Sequence, residues 1–263
     1  MNNKIKKILN KKNKSKIVCL TAYSKNIAKI LDKHCDIILV GDSMANVLYG
    51  LKNTHKISLQ NIIDHSLSVK KGVKKSLLIV DMPKGSYQNV KLARKNAKLI
   101  IKKTGCDGVK LESNRNNYKI IKELVKAKIP VMGHIGYTPQ FKINFKIEGD
   151  TIKKANKLYK EAFLIQQAGA FSIVLECLAP QASKLITKDL KIPTIGIGSS
   201  SYCDGQILVT DDMLGISGFY PKFVKKYANL NNVIEKAVKK YSKDIKLNKF
   251  PGKKNFLNGR KSQ

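Results

Sequence analysis

Gly105-Cys106-Asp107-Gly108-Val109-Lys110-Leu111-Glu112 and Gly169-Ala170-Phe171-Ser172-Ile173-Val174-Leu175-Glu176 follow one plan. Each opens on glycine, takes a short step, runs through an apolar stretch and closes on an acid. Cys35–Asp42 is a looser third copy. A near-continuous apolar run of this length, bounded by glycine, reads as a strand buried on both faces.

Working outward, the same kind of run recurs at Ile17–Ala22, Asp36–Gly41, Ser76–Met82, Gly108–Glu112, Pro130–Gly136, Phe171–Glu176, Pro193–Gly198 and Gln206–Thr210. Amphipathic segments separate these strands at Ser24–Lys33, Leu59–Gly72, Asn89–Thr104, Asn117–Ala127, Thr151–Ala168 and Gln181–Leu190. Ser58 and Thr151 read as N-caps, and Gly72, Gly105 and Gly169 as C-terminal stops. Strand alternating with helix means parallel βα units. Eight of them predict an α/β fold, a closed (β/α)8 TIM barrel, with an open doubly wound sheet as the structural alternative. No linker divides the chain, so one barrel domain is expected across residues 1–263. It carries a basic N-terminal extension over about 1–14, a final Lys-rich helix over Lys222–Ile245 and a polar tail over about 248–263.

Composition narrows the function classes. Of 263 residues 43% are hydrophobic, enough for a sizeable core and against disorder. The longest apolar runs, Ile37–Val40 and Leu77–Val80, fall far short of the roughly 18 residues of a membrane span. Met1–Lys16 has no apolar stretch of the secretory type, so a cytoplasmic protein is expected. Fifty-one basic residues face 18 acids, for a net charge of +33. Such an excess raises the question of nucleic acid. Yet only Arg94, Arg115 and Arg260 are arginines, the residue on which base readout leans, and the lysines are spread along the chain. The charge therefore reads as compositional bias, and no specific nucleic-acid partner is expected. The five cysteines show no C-x-x-C spacing, which argues against a disulfide framework or a zinc site.

With acids so scarce, their placement informs. Asp42, Asp81, Glu112 and Glu176 each end a strand. A carboxylate there is costly to bury unless it is paired or holds a cation. In a barrel all four ends open on one face, where barrel enzymes place their sites. Converging carboxylates without a His/Cys cluster favour a hard cation such as Mg2+. The competing reading makes each acid the N-cap of the next helix. Lys110 lies two residues before Glu112, hence on the same side of its strand, where it can meet a substrate carboxylate. His134 ends the fifth strand and is a candidate polar group of the site. Gly196-Ile197-Gly198-Ser199-Ser200 reads either as an anion-cradling loop or as a tight turn.

Ten motifs in order carry a resemblance: Leu20-Thr21-Ala22-Tyr23, Ile38–Ser43, Val80–Pro83 with Ser86-Tyr87-Gln88, Val109–Glu112, Pro130–His134, Thr138-Pro139-Gln140, Ile173–Glu176, Pro193–Gly198, Cys203–Gln206 and Asp212–Gly215. Together they resemble the ketopantoate hydroxymethyltransferase family over about Ser15–Tyr241. The resemblance implies a barrel of the phosphoenolpyruvate/pyruvate type. It also implies transfer of a hydroxymethyl group from 5,10-methylenetetrahydrofolate to 3-methyl-2-oxobutanoate, giving 2-dehydropantoate. It implies one Mg2+ per subunit around Asp42, Asp81 and Glu112, keto acid contacts at Asp42, Ser43, Asp81 and Lys110, Glu176 as proton acceptor at C3, and a homodecamer. A related Mg2+-dependent lyase of C–C or P–C bonds is the alternative. The sequence departs from the family's pattern at Ser24, at Ser199–Ser201, in the shortened segment Phe141–Gly149 and in lacking a His beyond Phe250-Pro251. None of these departures removes a proposed site residue, so an active enzyme is expected.

Overall fold

The computed structural model describes residues 2–113, 117–218 and 220–256. Arg115, Arg260 and the end of the polar tail lie outside the described residues. In chain order the elements are α1 Asn3–Leu9, β1 Ile17–Thr21, α2 Lys25–Leu31, β2 Ile37–Val40, α3 Met44–Val47, α4 Leu59–Lys70, β3 Leu77–Asp81, α5 Val90–Thr104, β4 Gly108–Glu112, α6 Asn117–Lys126, β5 Val131–Gly136, α7 Ile152–Gln167, β6 Ser172–Glu176, α8 Pro180–Asp189, β7 Thr194–Ile197, β8 Gly205–Leu208, α9 Thr210–Leu214 and α10 Leu230–Lys246. The strands pair in parallel in sequence order, and β8 closes on β1 through Ile17↔Gly205 and Val18↔Gln206. The sheet is a closed eight-stranded barrel, and the open-sheet alternative is excluded.

Period-two alternation splits the apolar residues into two cores. Ile38 and Val40 of β2 and Leu78 and Val80 of β3 face outward into the layer under the helices. Ile37, Leu39, Leu77, Ile79, Met132, Val174, Ile195 and Ile207 fill the barrel interior. The caps are largely those expected. Ser58 forms a capping box with Asn61, Thr151 accepts from Lys154 N, and Gly105 and Gly169 adopt positive φ after α5 and α7. Gly72 stops no helix by a left-handed turn. A Cβ there would collide with the backbone carbonyl of Lys25, so close approach to α2 is its reason for being glycine.

Four results differ from expectation. Residues 3–9 of the basic extension form α1, whose Ile5 and Ile8 enter the interior cluster at the N-terminal end of the barrel. Asp36, Asp107 and Asp204 immediately precede β2, β4 and β8, and there they meet Lys11 at 2.6 Å, Lys4 at 3.4 Å and Lys12 at 2.8 Å. These lysines are not passive charge; they fasten a plug. The short helices α3 and α9 carry too few residues to show periodicity. The last helix starts at Leu230, eight residues later than read, because Asn229 accepts from Asn232 N and caps it there. The preceding segment folds back instead: Tyr227 N donates to Met213 O, and Phe223 lies against Gly198.

The outer ring is incomplete. α10 buries no residue, and Val233, Ile234, Val238, Tyr241 and Ile245 are exposed along it. On the barrel wall, Val18 of β1 is 47% exposed and the neighbouring Gln206 of β8 is exposed as well. Among the described residues, no helix is long and apolar enough to cross a membrane.

Candidate active site

The interior-facing positions of β3 to β6 decide what stands at the C-terminal mouth. Ile79 faces inward, so Asp81 two residues later does too; Lys110 and Glu112 share one face of β4, and Val174 and Glu176 one face of β6. Register then sets the neighbours: Asp81 pairs with Lys110, and Glu112 with His134. Lys110 Nζ lies 2.6 Å from Asp81 Oδ1. Asp42, one residue past Gly41 at the end of β2, donates its backbone N–H to Asp81 Oδ2 at 3.0 Å. His134 Nε2 lies 3.1 Å from Glu176 Oε2 and its Nδ1 lies 3.7 Å from Glu112 Oε1, neither in hydrogen-bond geometry. Ser43 stands at the rim, its Oγ 2.8 Å from Tyr23 OH.

Every sequence-predicted site residue thus lies in one place, with Asp42, Asp81, Lys110, Glu112 and His134 buried and Glu176 16% exposed at the rim. The helix-capping reading of the acids fails, since Ser43, Asn89 and Ala179 are the N-caps after β2, β3 and β6, and α6 begins five residues beyond Glu112. Gly196 and Ile197 end β7, and the bend that follows at Gly198 and Ser199 is filled by neighbouring side chains. The Phe223 ring would sit 2.6 Å from a Cβ at Gly198, and Ser199 Oγ is spent on Ser183 at 2.5 Å.

Electrostatics follow from crowding four carboxylates around one ammonium. Burial, then the charge of Asp81, pushes Asp42 up to about 7, with Lys110 and Gln140 pulling the other way. Burial pushes Glu112 well above the carboxylate range, Asp42 adding to it. Burial also pushes Glu176 up to about 8, against the pull of Lys110. Burial would lower the Lys110 ammonium, but Asp81, Asp42 and Glu112 overcome it and hold the group charged. His134 is driven well below its usual value by burial and by Lys110, so it is neutral.

The donor chemistry fits a hard cation. Asp42 and Asp81 are adjacent carboxylates, and Glu112 Oε1 is buried with no hydrogen-bond partner. Among the described residues no three acidic, imidazole or thiol groups gather into a ready-made cage. Mg2+ is usually held by one or two carboxylates, with waters and substrate oxygens completing its shell.

Sequence reading did not single out Gln140 and Tyr87, which the structure ties into the acid cluster. Gln140 donates from its backbone N to Glu112 Oε2 at 2.9 Å and from Nε2 to Asp42 Oδ2 at 2.8 Å, and its Oε1 accepts from Tyr87 OH at 2.5 Å. Both lie inside motifs quoted above, Thr138-Pro139-Gln140 and Ser86-Tyr87-Gln88, which was the one available signal.

A family profile described as ketopantoate hydroxymethyltransferase matches residues 2–253. The chain is 52% identical over 254 residues, 97% of its own length and 99% of the relative's, to the 3-methyl-2-oxobutanoate hydroxymethyltransferase of Pelagibacter ubique. It is 47% identical to that of Anaplasma marginale, covering 92% of this chain and 88% of the relative. Among solved structures, a phosphoenolpyruvate phosphomutase from Streptomyces platensis superposes with TM-score 0.63 at 12% identity, over 92% of this chain and 86% of that one. A 2,3-dimethylmalate lyase of the PEP mutase/isocitrate lyase superfamily gives TM-score 0.60 at 14% identity, over 98% and 93%. These two share the fold alone. The profile and the close relatives settle the lineage: the chain belongs to the ketopantoate hydroxymethyltransferase family.

Proposed function

We propose that this enzyme transfers a hydroxymethyl group from 5,10-methylenetetrahydrofolate to 3-methyl-2-oxobutanoate, forming 2-dehydropantoate for pantothenate and coenzyme A synthesis. The observation that carries the reading is a division of labour among the acids. Asp42 and Asp81 stand together with Lys110 against Asp81, while Glu176 faces a neutral imidazole on the opposite wall.

Asp42 and Asp81, with Glu112 beside them, would hold Mg2+. When bound, the ion supplies a Lewis-acidic charge opposite the oxygen that becomes negative as the keto acid loses its C3 proton. Lys110 Nζ offers the substrate carboxylate a fixed positive charge, and Ser43 Oγ a hydrogen-bonding group at the rim. Glu176 takes the C3 proton. A base that holds its proton near pH 8 works close to operating conditions, where general bases are most effective. His134, kept neutral, lies beside Glu176 without neutralising it. Water would release the methylene carbon from its two folate nitrogens at the formaldehyde level, leaving tetrahydrofolate; C3 adds to that carbon, and the new alkoxide takes the proton held by Glu176 to become the hydroxyl. Tyr137, Phe145 and Phe223, in edge and stacked contact at 5.2 and 6.0 Å between ring centroids, offer flat apolar faces beside Glu176 and support an aromatic co-substrate such as the folate. The uncovered apolar face of α10 supports assembly into the homodecamer, and the reading places the enzyme in the cytoplasm.

The test is formation of 2-dehydropantoate from the two substrates with Mg2+ and after chelation. Metal-dependent product is expected. No product under any metal condition, with the protein folded, overturns the assignment.

A further inference from the structure

Gln140 is a neutral side chain in a ring of charges, 1% exposed, and its amide can be oriented in only one way. Met82 O, 3.0 Å from the amide, accepts and cannot donate, so the atom facing it is Nε2. The same Nε2 reaches Asp42 Oδ2, and at the other end of the amide the Tyr87 hydroxyl donates to Oε1. The backbone of this residue is held as firmly. Phe141 N and Lys142 N both bond Thr138 O at 2.9 Å, and His55 Nε2 lies 3.0 Å from Pro139 O. From this fixed loop Gln140 N donates to Glu112 Oε2. One residue of the β5–α7 loop therefore grips one oxygen on each of two carboxylates from β2 and β4. It leaves Asp42 Oδ1 outside this grip and Glu112 Oε1 buried with no hydrogen-bond partner, 3.7 Å from His134 Nδ1.

We propose that Gln140 is a positioning residue of the cation site: its amide, locked by Tyr87 and Met82, holds Asp42 Oδ2 and so fixes the orientation of the carboxylate, leaving Oδ1 for a cation. The inference rests on the function proposed above. Outer-shell partners of metal-binding carboxylates matter because an unheld carboxylate rotates, and losing one weakens metal affinity or activity about 10- to 100-fold. Gln140→Met keeps the volume and loses the amide, but keeps the backbone donor, so its effect travels through Asp42 alone.

The experiment titrates Mn2+ into the full-length protein without substrates, reading free Mn2+ by electron paramagnetic resonance. It is run on wild type, Gln140→Met, Asp42→Asn and the double variant. Gln140→Met should weaken Mn2+ about 10- to 100-fold. In the Asp42→Asn background the same change should add almost nothing. Raised metal should restore C3 hydrogen exchange in Gln140→Met, which a merely structural defect would not allow. Wild-type Mn2+ affinity in Gln140→Met, or effects that simply add in the double variant, overturns the positioning role. If Gln140→Met does not fold, Tyr87→Phe takes its place: it frees one end of the amide and should weaken Mn2+ about threefold, the scale of one neutral hydrogen bond, and an unchanged affinity there overturns the role. Wild-type protein that makes 2-dehydropantoate but shows no such coupling separates this failure from a failure of the function itself. Wild-type protein that neither binds Mn2+ nor turns over overturns both.

Discussion

Glu176 and Asp42 show how two carboxylates are suited to two different proposed roles by their surroundings. Asp42 sits against Asp81, Lys110 and Gln140, whereas Glu176 lies across the mouth beside a neutral His134. Glu176→Gln keeps the shape and removes the basicity. Hydrogen exchange at C3 of the keto acid in deuterated solvent should slow about 10²–10⁴-fold, while Mg2+ and keto acid affinity stay within a few-fold. Exchange at the wild-type rate would remove Glu176 from the role of base. Folate is not needed for that measurement, so it isolates proton removal from bond formation. At this scale the acids were legible in the sequence because a charge at the end of an apolar strand breaks a pattern. Gln140 and Tyr87 were not, because a neutral amide in a loop interrupts no periodicity and only tertiary structure brings it between two carboxylates.

Elements were readable in proportion to how much they bury. All eight strands announced themselves: β2 to β7 are enclosed by side chains on both faces, while β1 and β8 alternate buried with exposed positions at Val18 and Gln206; α1, α3 and α9 are short, and the start of α10 depends on a cap over a helix that buries nothing. α1 has a clear task at the end of the barrel opposite the site. Ile8→Ala opens space in a filled interior and should cost about 2–5 kcal/mol, seen as a lower denaturation midpoint, with C3 exchange unchanged in the folded protein. Conserved exchange is the part that distinguishes a stability end from a catalytic one. Asp32, following α2, plays a similar part for β3. Burial works to raise its pKa, but the backbone N–H groups of Ser76, Lys74 and Lys75, at 2.8 to 3.0 Å, outweigh it and hold the carboxyl below its usual range. A depressed folded pKa means stability that is present above the unfolded value near 4 and is lost as pH falls through the lower folded value. Asp32→Asn should therefore lose about 1.5–3 kcal/mol at neutral pH, measured by urea unfolding, and the gap to wild type should narrow on acidification. A gap independent of pH would place the effect elsewhere.

Over the whole molecule the net charge of +33 divides into two populations. Lys4, Lys11, Lys12 and Lys110 have specific carboxylate partners that bind the plug or shape the site. Lys239, by contrast, meets Glu235 at 2.7 Å in the open, with the two side chains 74% and 60% exposed, a kind of pair worth little. Lys239→Gln with Lys240→Gln should leave turnover nearly unchanged and stability within about 0.5 kcal/mol. A large loss in a steady-state assay would show that the charge on α10 has a task.

The bare flank of the barrel, where Val18 meets solvent, and the apolar stripe of α10 would, in the proposed assembly, make the protein's own concentration a thermodynamic variable. In the proposed assembly each copy acts as a ligand for the others, and a ligand that binds only the folded state raises its stability by mass action. Thermal midpoints should climb as the protein is concentrated, and dilution alone, with no change of solvent, should bring unfolding closer. A midpoint that is flat over a hundredfold range would mean that each copy stands by itself. A cell making this enzyme would then gain more than catalytic capacity from each added copy, because every newly made chain would prolong the life of those already folded.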